Sequence, residues 1–362
     1  MEIHRLWLVG FRSHETVDIE LDPGVNLVVG GNGAGKTNLV EAIGYLGSLR
    51  SFRGVPAEAL IRRGADQAVV RAEIDHSGRR QLVEIEIAAR GRGRVLINRQ
   101  RAGRARDLLE VVQTTVFGPD DLAVVKDGPG VRRDLLDDLI VQLRPTDDVV
   151  RSDWERALRQ RNSFLKQVRG RLDESAALTL EVWDTKAAEA GERLTERRND
   201  LVDRLGPFVS QAYAELAGAP TPVAMHLVSP WRSDGLANAF RSGRDDDLRR
   251  GLTLVGPHRD DVVVTLDGLP SRTHASQGEQ RCLALALRLA GHRLVTEVRG
   301  DPPILILDDV FSELDHGRAA ALLMALPAGQ TFITSATGAP PGVEPGLAIR
   351  VERGGRVTPG PN

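Results

Sequence analysis

Residues 3–11 read as one extended run, apolar and polar side chains alternate over 16–21, and Asp22-Pro23-Gly24 supplies turn chemistry. The chain is therefore predicted to open with a β-hairpin or meander. A short buried strand is expected at 25–29, followed by the glycine-rich stretch Gly30-Gly31-Asn32-Gly33-Ala34-Gly35. Next comes a helical pattern over 36–49, with Leu39, Ala42, Ile43 and Leu46 at spacings of three and four. Alternation returns from about 68 to 97, with a Gly-Arg-Gly turn at 91–93, which predicts an antiparallel flap.

From Arg132 to about Leu205 the pattern is helical and heavily charged, with Trp154, Leu158, Phe164, Leu165 and Val168 on one apolar face. This predicts a helical hairpin, or arm, too short for a long coiled coil. Segments around 217–235 and 339–347 read as loops. After Arg250 strands and helices alternate again, and a second strand, loop and helix set begins at Ile304. The expected architecture is an α/β core built from both ends of the chain, residues 1–130 and 251–362, with a helical arm at 131–250 inserted between them.

Composition narrows the function classes. The chain has 362 residues, 41% of them apolar, and a formal charge of −2. That excludes a disordered polyelectrolyte and a generally basic nucleic-acid coat, so any nucleic-acid surface must be local. No apolar run approaches the roughly 20 residues that span a bilayer, so no membrane partner is expected. The start lacks the charged, apolar and small-residue regions of a signal peptide. Cys282 is the sole cysteine, which excludes an internal disulfide and a cysteine metal cluster. A cytoplasmic setting is expected, with the thiol as a small buried hydrophobe. The cations divide into 44 Arg and only 4 Lys.

Residues Gly30 to Thr37 match G-x-x-x-x-G-K-[ST] after a strand and at the start of a helix. In such a loop the backbone N–H groups of Gly30, Gly31, Asn32, Gly33, Ala34 and Gly35 turn inward at phosphate oxygens, and the helix N-terminus adds its positive end. Lys36 would reach the β- and γ-phosphates, and the Thr37 hydroxyl would ligate Mg²⁺. A lysine here, in a chain that otherwise uses arginine, fits a place that needs a compact ammonium. The run Ile304-Leu305-Ile306-Leu307 predicts a buried strand ending in Asp308 and Asp309. Asp308 is placed to hold Mg²⁺ and Asp309 to polarise an attacking water, although paired acids at a strand end also occur as helix caps. Ser276 with Glu279 three residues on reads as a capping box, opening a strongly apolar helix that stops at Pro302-Pro303.

With these motifs the sequence resembles ATP-binding-cassette head domains of the chromosome-maintenance type and, more narrowly, the RecF family of bacterial repair ATPases. The resemblance rests on Gly10-Phe11-Arg12-Ser13, the P-loop through Asn38 to Ile43, Ser51-Phe52-Arg53, Phe117 to Leu122, Arg132-Arg133 with Asp137, and Gln160-Arg161-Asn162. It continues in Gly256-Pro257-His258-Arg259-Asp260-Asp261, Ser276 to Arg281, and Leu307 to Asp315. It implies the ABC-type head fold, ATP and Mg²⁺ as cofactors, and an ATP-dependent homodimer on double-stranded DNA. Ser276 and Gly278 would close over the partner's γ-phosphate, and Asp315 would face the dimer partner. Arg12, Ser13 and Asn38 would lie at the nucleotide. It further implies assistance to RecA loading with RecO and RecR. Two departures stand out: Gln113 is a poorly spaced candidate for the glutamine loop, and no histidine follows the strand 331–335, where Thr334 or Ser335 would take its place. Slow hydrolysis, suited to a switch, is expected.

Seven arginines and no acid lie between Arg90 and Arg106. Arg92, Arg94 and Arg99 are the candidate DNA contacts, with Arg50, Arg53, Arg62 and Arg63 as an extension; a solvated hairpin tip is the plain alternative. Without interleaved aromatics, duplex backbone is favoured over stacked single strands. His258 and Arg259 beside Asp260 and Asp261 read either as a metal or catalytic cluster or as structural pairing. Two other functions stay open: an ATPase subunit of a transport complex, which would need a membrane partner for stimulation, and a monomeric phosphotransferase, which would leave the Ser276 motif without purpose.

Overall fold

The alternation at the start of the chain becomes the two faces of an antiparallel sheet. Its spatial order is His14–Glu20, Glu2–Phe11, Gln67–His76, Arg79–Ala88, Arg94–Ile97 and Gln100–Arg101. In Gln67–His76 the side chains of Ala68, Val70, Ala72 and Ile74 are buried and those between them face outward, as one-sided sheets require. The computed structural model describes residues 1–91, 93–168 and 172–360.

A second sheet has the order Val357–Pro359, Leu347–Val351, Val25–Val29, Thr331–Ser335, Ile304–Leu307 and Thr114–Phe117. Its pairings are parallel except the outermost one, between Leu347–Val351 and Val357–Pro359. Ile304–Leu307 is buried at every position, which explains its unbroken apolar run. The helix Lys36–Leu46 places Leu39, Ala42, Ile43 and Leu46 in one core with Leu6, Leu8 and Val70 of the first sheet and Val28, Ile306 and Phe332 of the second. This packing fixes the helix start, and so the glycine loop before it.

The chain divides into two units. Met1–Asp121, Gln211–Pro220 and Arg281–Asn362 form the first; Leu122–Ser210 and Thr221–Gln280 form the second. The division differs from the expected arm at 131–250, and strand pairing is the reason. Val223–Val228 takes its antiparallel partner from Asp261–Leu266, with Val228 opposite Asp261 and Val223 opposite Leu266. This ladder ties residues 261–266 to the second unit, beyond the expected end of the arm at 250.

The second unit is otherwise helical, as the charged amphipathic pattern predicts. Trp154 of Asp148–Val168 packs with Ala187 and Leu194 of Glu174–Ala217 and with Trp231, Leu236 and Phe240. Arg161 lies wholly inside this unit, paired with Asp184 at 2.8 Å and Asp247 at 2.6 Å. Arg198 is similarly buried and forms a two-pronged pair with Asp137, at 2.8 Å for both prongs.

Candidate functional site

Three neighbouring parallel strands end on one edge of the second sheet: Val25–Val29 runs into the glycine loop, Ile304–Leu307 into Asp308, and Thr331–Ser335 carries Thr334. Ligand sites of open parallel sheets lie outside such carboxyl ends. The loop ends at Gly35, whose φ is +116° and where a Cβ would stand 2.6 Å from the Ser13 Oγ, so only glycine fits. Asn38 Nδ2 donates to that same Ser13 Oγ at 2.8 Å. Lys36 is buried, its Nζ donating to the carbonyls of Gly30 at 2.8 Å and Gly31 at 3.3 Å. No acid stands in the helix's first turn to offset its positive end.

Thr37 Oγ1 donates to Asp308 Oδ1 at 3.1 Å, and Thr334 Oγ1 donates to the same oxygen at 2.8 Å. Thr334 also accepts the Asp309 N–H at 2.9 Å. One threonine hydroxyl thus fixes the peptide joining the two acids. Burial pushes the Asp308 carboxyl above its ordinary value, against the hydrogen bonds from Thr334 and Thr37, while Asp309 adds to the rise and Arg53 opposes it. Asp309 itself is exposed and has φ +55°, a left-handed conformation that aspartate tolerates better than most residues. Thr37 and Asp308 offer hard oxygen donors side by side, the donor type Mg²⁺ prefers. Among the described residues no group of three His, Cys, Asp or Glu stands where it could hold a metal ion.

A cavity of about 260 Å³ opens beside these groups, lined by Thr37, Arg53, Gly118, Asp120, Arg288 and Asp308 among others. Arg53, named above as an extension of the arginine run, is exposed and lines this cavity. Arg288 and the Gly118 turn were not predicted. Arg288 Nε donates to Asp121 Oδ1 at 2.8 Å, and the Gly118 N–H donates to Asp121 Oδ2 at 2.8 Å. Asp121 is buried, which pushes its carboxyl up while Arg288 pulls it down.

Several expected residues are engaged elsewhere. Arg12 gives Nε and Nη2 to the buried Glu41, both at 2.8 Å, and Nη1 to the Ala59 carbonyl at 2.9 Å. Its guanidinium ties the hairpin turn to the helix. Gln113 is buried with its amide on the Leu109 carbonyl and is not among the residues lining the cavity. Arg62 donates to the Ser13 carbonyl at 2.7 Å and so supports the segment beside the loop.

Ser276 and Glu279 form the expected capping box: Ser276 N–H to Glu279 Oε2 at 2.7 Å, and Glu279 N–H to Ser276 Oγ at 3.3 Å. Ser276 is exposed at the start of Gln277–Arg299, with Gly278 the second residue of that helix and half-buried. Asp315 caps the helix His316–Ala325 through the Arg318 N–H at 2.9 Å.

Of the arginine run, Arg94 pairs with Glu86, directly opposite it on the next strand, at 2.6 Å. Arg99 is exposed in the turn before Gln100–Arg101, with φ +66°. Arg92 lies outside the described residues. The His258 segment is structural in its contacts. His258 Nε2 lies 3.0 Å from the Thr253 carbonyl, its ring stacks 5.7 Å from Trp154, and burial lowers it to about 4. Asp260 accepts from Trp231 Nε1 at 2.8 Å and Thr195 Oγ1 at 3.2 Å, and Asp261 pairs with Arg132 at 2.7 Å. None of the described helices is long and apolar enough to cross a membrane.

Comparison with known proteins sets this geometry among relatives. The family model described as RecF/RecN/SMC N terminal domain matches residues 2–338. The DNA replication and repair protein RecF of Acidothermus cellulolyticus is 43% identical over 94% of this chain and 95% of its own. That of Streptomyces avermitilis is 42% identical over 98% and 99%. A solved structure of the recombination mediator protein RecF with ATP, in the RecFOR pathway, superposes with a TM-score of 0.90 at 29% identity, covering 99% of this chain and 97% of that one. An Smc head bound to the C-terminal winged-helix domain of ScpA shares the fold at a TM-score of 0.57 and 17% identity, covering 99% and 97%.

Proposed function

Because this chain belongs to the RecF family, we propose that it is an ATP-dependent DNA repair and replication protein, two copies of which close on duplex DNA around a pair of nucleotides. The observation that carries this reading is the meeting of Thr37, Asp308 and Thr334 hydrogen-bonding atoms within 3.1 Å at the end of the glycine loop. An ATP-bound RecF relative of nearly full-length similarity supports ATP as the ligand. Loop N–H groups and Lys36 would hold the phosphates, and Thr37 and Asp308 would hold Mg²⁺, which when bound neutralises phosphate charge. Asp309 would orient and deprotonate the attacking water. Thr334 stands where a histidine would otherwise help, and a hydroxyl already engaged by Asp308 and Asp309 is a weak substitute, so hydrolysis is slow and times release.

Ser276 would act in trans. An exposed hydroxyl at the positive end of a long helix suits an anion brought by a second copy. Replacing Ser276 by Arg is expected to leave ATP binding intact and to abolish ATP-driven dimers, as read by sedimentation; normal dimers in that variant would refute the trans arrangement. The proposed DNA contacts are Arg92, Arg94 and Arg99. Changing Arg92, Arg94 and Arg99 to Glu should weaken duplex binding and reduce the salt slope by roughly 3, one per lost phosphate contact. Nucleotide affinity should not move, and an unchanged salt slope would return the run to a solvated edge. By the same family reading, the task on gapped DNA is to assist RecA loading with RecO and RecR, which the RecFOR-pathway relative supports. A small-molecule phosphotransferase, acting as a monomer, would leave the Ser276 motif without purpose.

A further inference from the structure

His14 is fully buried at the start of the second strand, and both its ring nitrogens face carbonyl oxygens. Nδ1 lies 2.6 Å from the oxygen of Gly355, and Nε2 lies 3.2 Å from the oxygen of Gly35. Gly35 is the last glycine of the phosphate loop. Gly355 belongs to the turn between Leu347–Val351 and Val357–Pro359, near the far end of the chain. That turn is seated directly on the residues before His14, since a Cβ on Gly355, at φ +81°, would come within 2.4 Å of the Ser13 carbonyl oxygen. The other end of the phosphate loop rests on the same hairpin: a Cβ on Gly30 would meet the Val351 carbonyl oxygen at 2.3 Å. Both ends of the loop are therefore backed by one hairpin, at Gly30 by direct contact and at Gly35 through an imidazole.

We propose that His14 is a positioning residue for nucleotide binding, a polar strut that transmits the support of the C-terminal hairpin to Gly35 and holds the phosphate loop in its binding shape. The inference rests on the nucleotide reading of the loop. A neutral imidazole can donate to only one of the two carbonyls, and both bonds form only when the ring carries two protons. Either way the ring fills the gap between Gly35 and Gly355, which have no side chain of their own to fill it. A loop whose N–H groups must converge on phosphate oxygens loses affinity when one end is free to rotate, because the ordering must then be supplied on binding.

The test uses the full chain and a fluorescent ATP analogue with Mg²⁺. His14→Phe keeps the ring and loses both nitrogens; His14→Gln places an amide donor near the Nε2 position, within reach of the Gly35 carbonyl. His14→Phe is expected to weaken ATP binding about tenfold, the consequence of losing roughly one net hydrogen bond that orders the loop, and His14→Gln to restore most of it. In the wild type, the ¹⁵N signals of the His14 ring should shift when ATP and Mg²⁺ are added, which a merely space-filling residue would not do. Wild-type affinity in His14→Phe, no recovery in His14→Gln, or ring signals indifferent to ATP would each overturn the proposal. If His14→Phe fails to fold, the wild-type titration decides alone. A wild type that does not bind ATP would instead overturn the nucleotide reading of the loop, a result distinguishable from any of these.

Discussion

Asp309→Asn should abolish ATP turnover by roughly 10²–10⁴-fold, the usual contribution of a positioned general base, while ATP still binds and the dimer accumulates. The substitution is conservative in shape and in backbone. Residue 309 has φ +55°, and asparagine accepts the left-handed region as readily as aspartate, so the strand end should keep its form. The Asp309 N–H that Thr334 accepts is a backbone group and survives the change. Asp308 and Thr37, which would hold the ion, are untouched. Single-turnover hydrolysis measured beside nucleotide affinity separates the two effects. Turnover within a few-fold of wild type would remove Asp309 from the chemistry and leave it as the residue before a short helical turn.

Arg161→Met should destabilise the second unit by about 3–5 kcal/mol, the cost of breaking a buried ion pair from one side. Arg161 is fully buried, donating to Asp184 at 2.8 Å, to Asp247 at 2.6 Å and to Thr253 Oγ1 at 2.8 Å, with its guanidinium 4.3 Å above the Phe240 ring. Methionine retains much of the apolar stem and none of the donors. Asp184 keeps Arg244 and Asp247 keeps the Leu254 N–H, but Asp247 loses its cation in a place where burial already pushes its carboxyl up. Adding Asp247→Asn should recover part of the loss, because the second carboxylate no longer has to be desolvated unpaired. Denaturant unfolding reads both variants, and a loss below about 1 kcal/mol would show that the network relaxes around the missing cation.

These residues also mark what a sequence can disclose. The glycine loop and the Ile304–Leu307 strand were legible because each demands residue types that few other structures need: glycine where φ is positive or contacts close, and an unbroken apolar run where both sheet faces are covered. Ser276 was legible as a cap for the same local reason. Charge was the poorer guide. Arg94 reads as part of a basic run, but its neutralising partner Glu86 stands across a strand pairing whose register the run does not encode. Arg12, Arg53 and Arg62 were indistinguishable in composition, yet one ties a turn to Glu41, one lines the cavity and one props the Ser13 carbonyl. Arg288 reaches the cavity from a helix whose apolar periodicity conceals its single polar task. The extent of the second unit depended on the pairing of Val223–Val228 with Asp261–Leu266, a long-range choice that neither strand announces.

Sedimentation velocity of the purified chain, alone, with ATP and Mg²⁺, and with ATP, Mg²⁺ and a short duplex, puts the nucleotide-gated clamp to its most direct trial. Monomers are expected without nucleotide, a dimer boundary with ATP, and a faster complex retaining the duplex when both are present. A single monomer boundary under saturating ATP and duplex would contradict it.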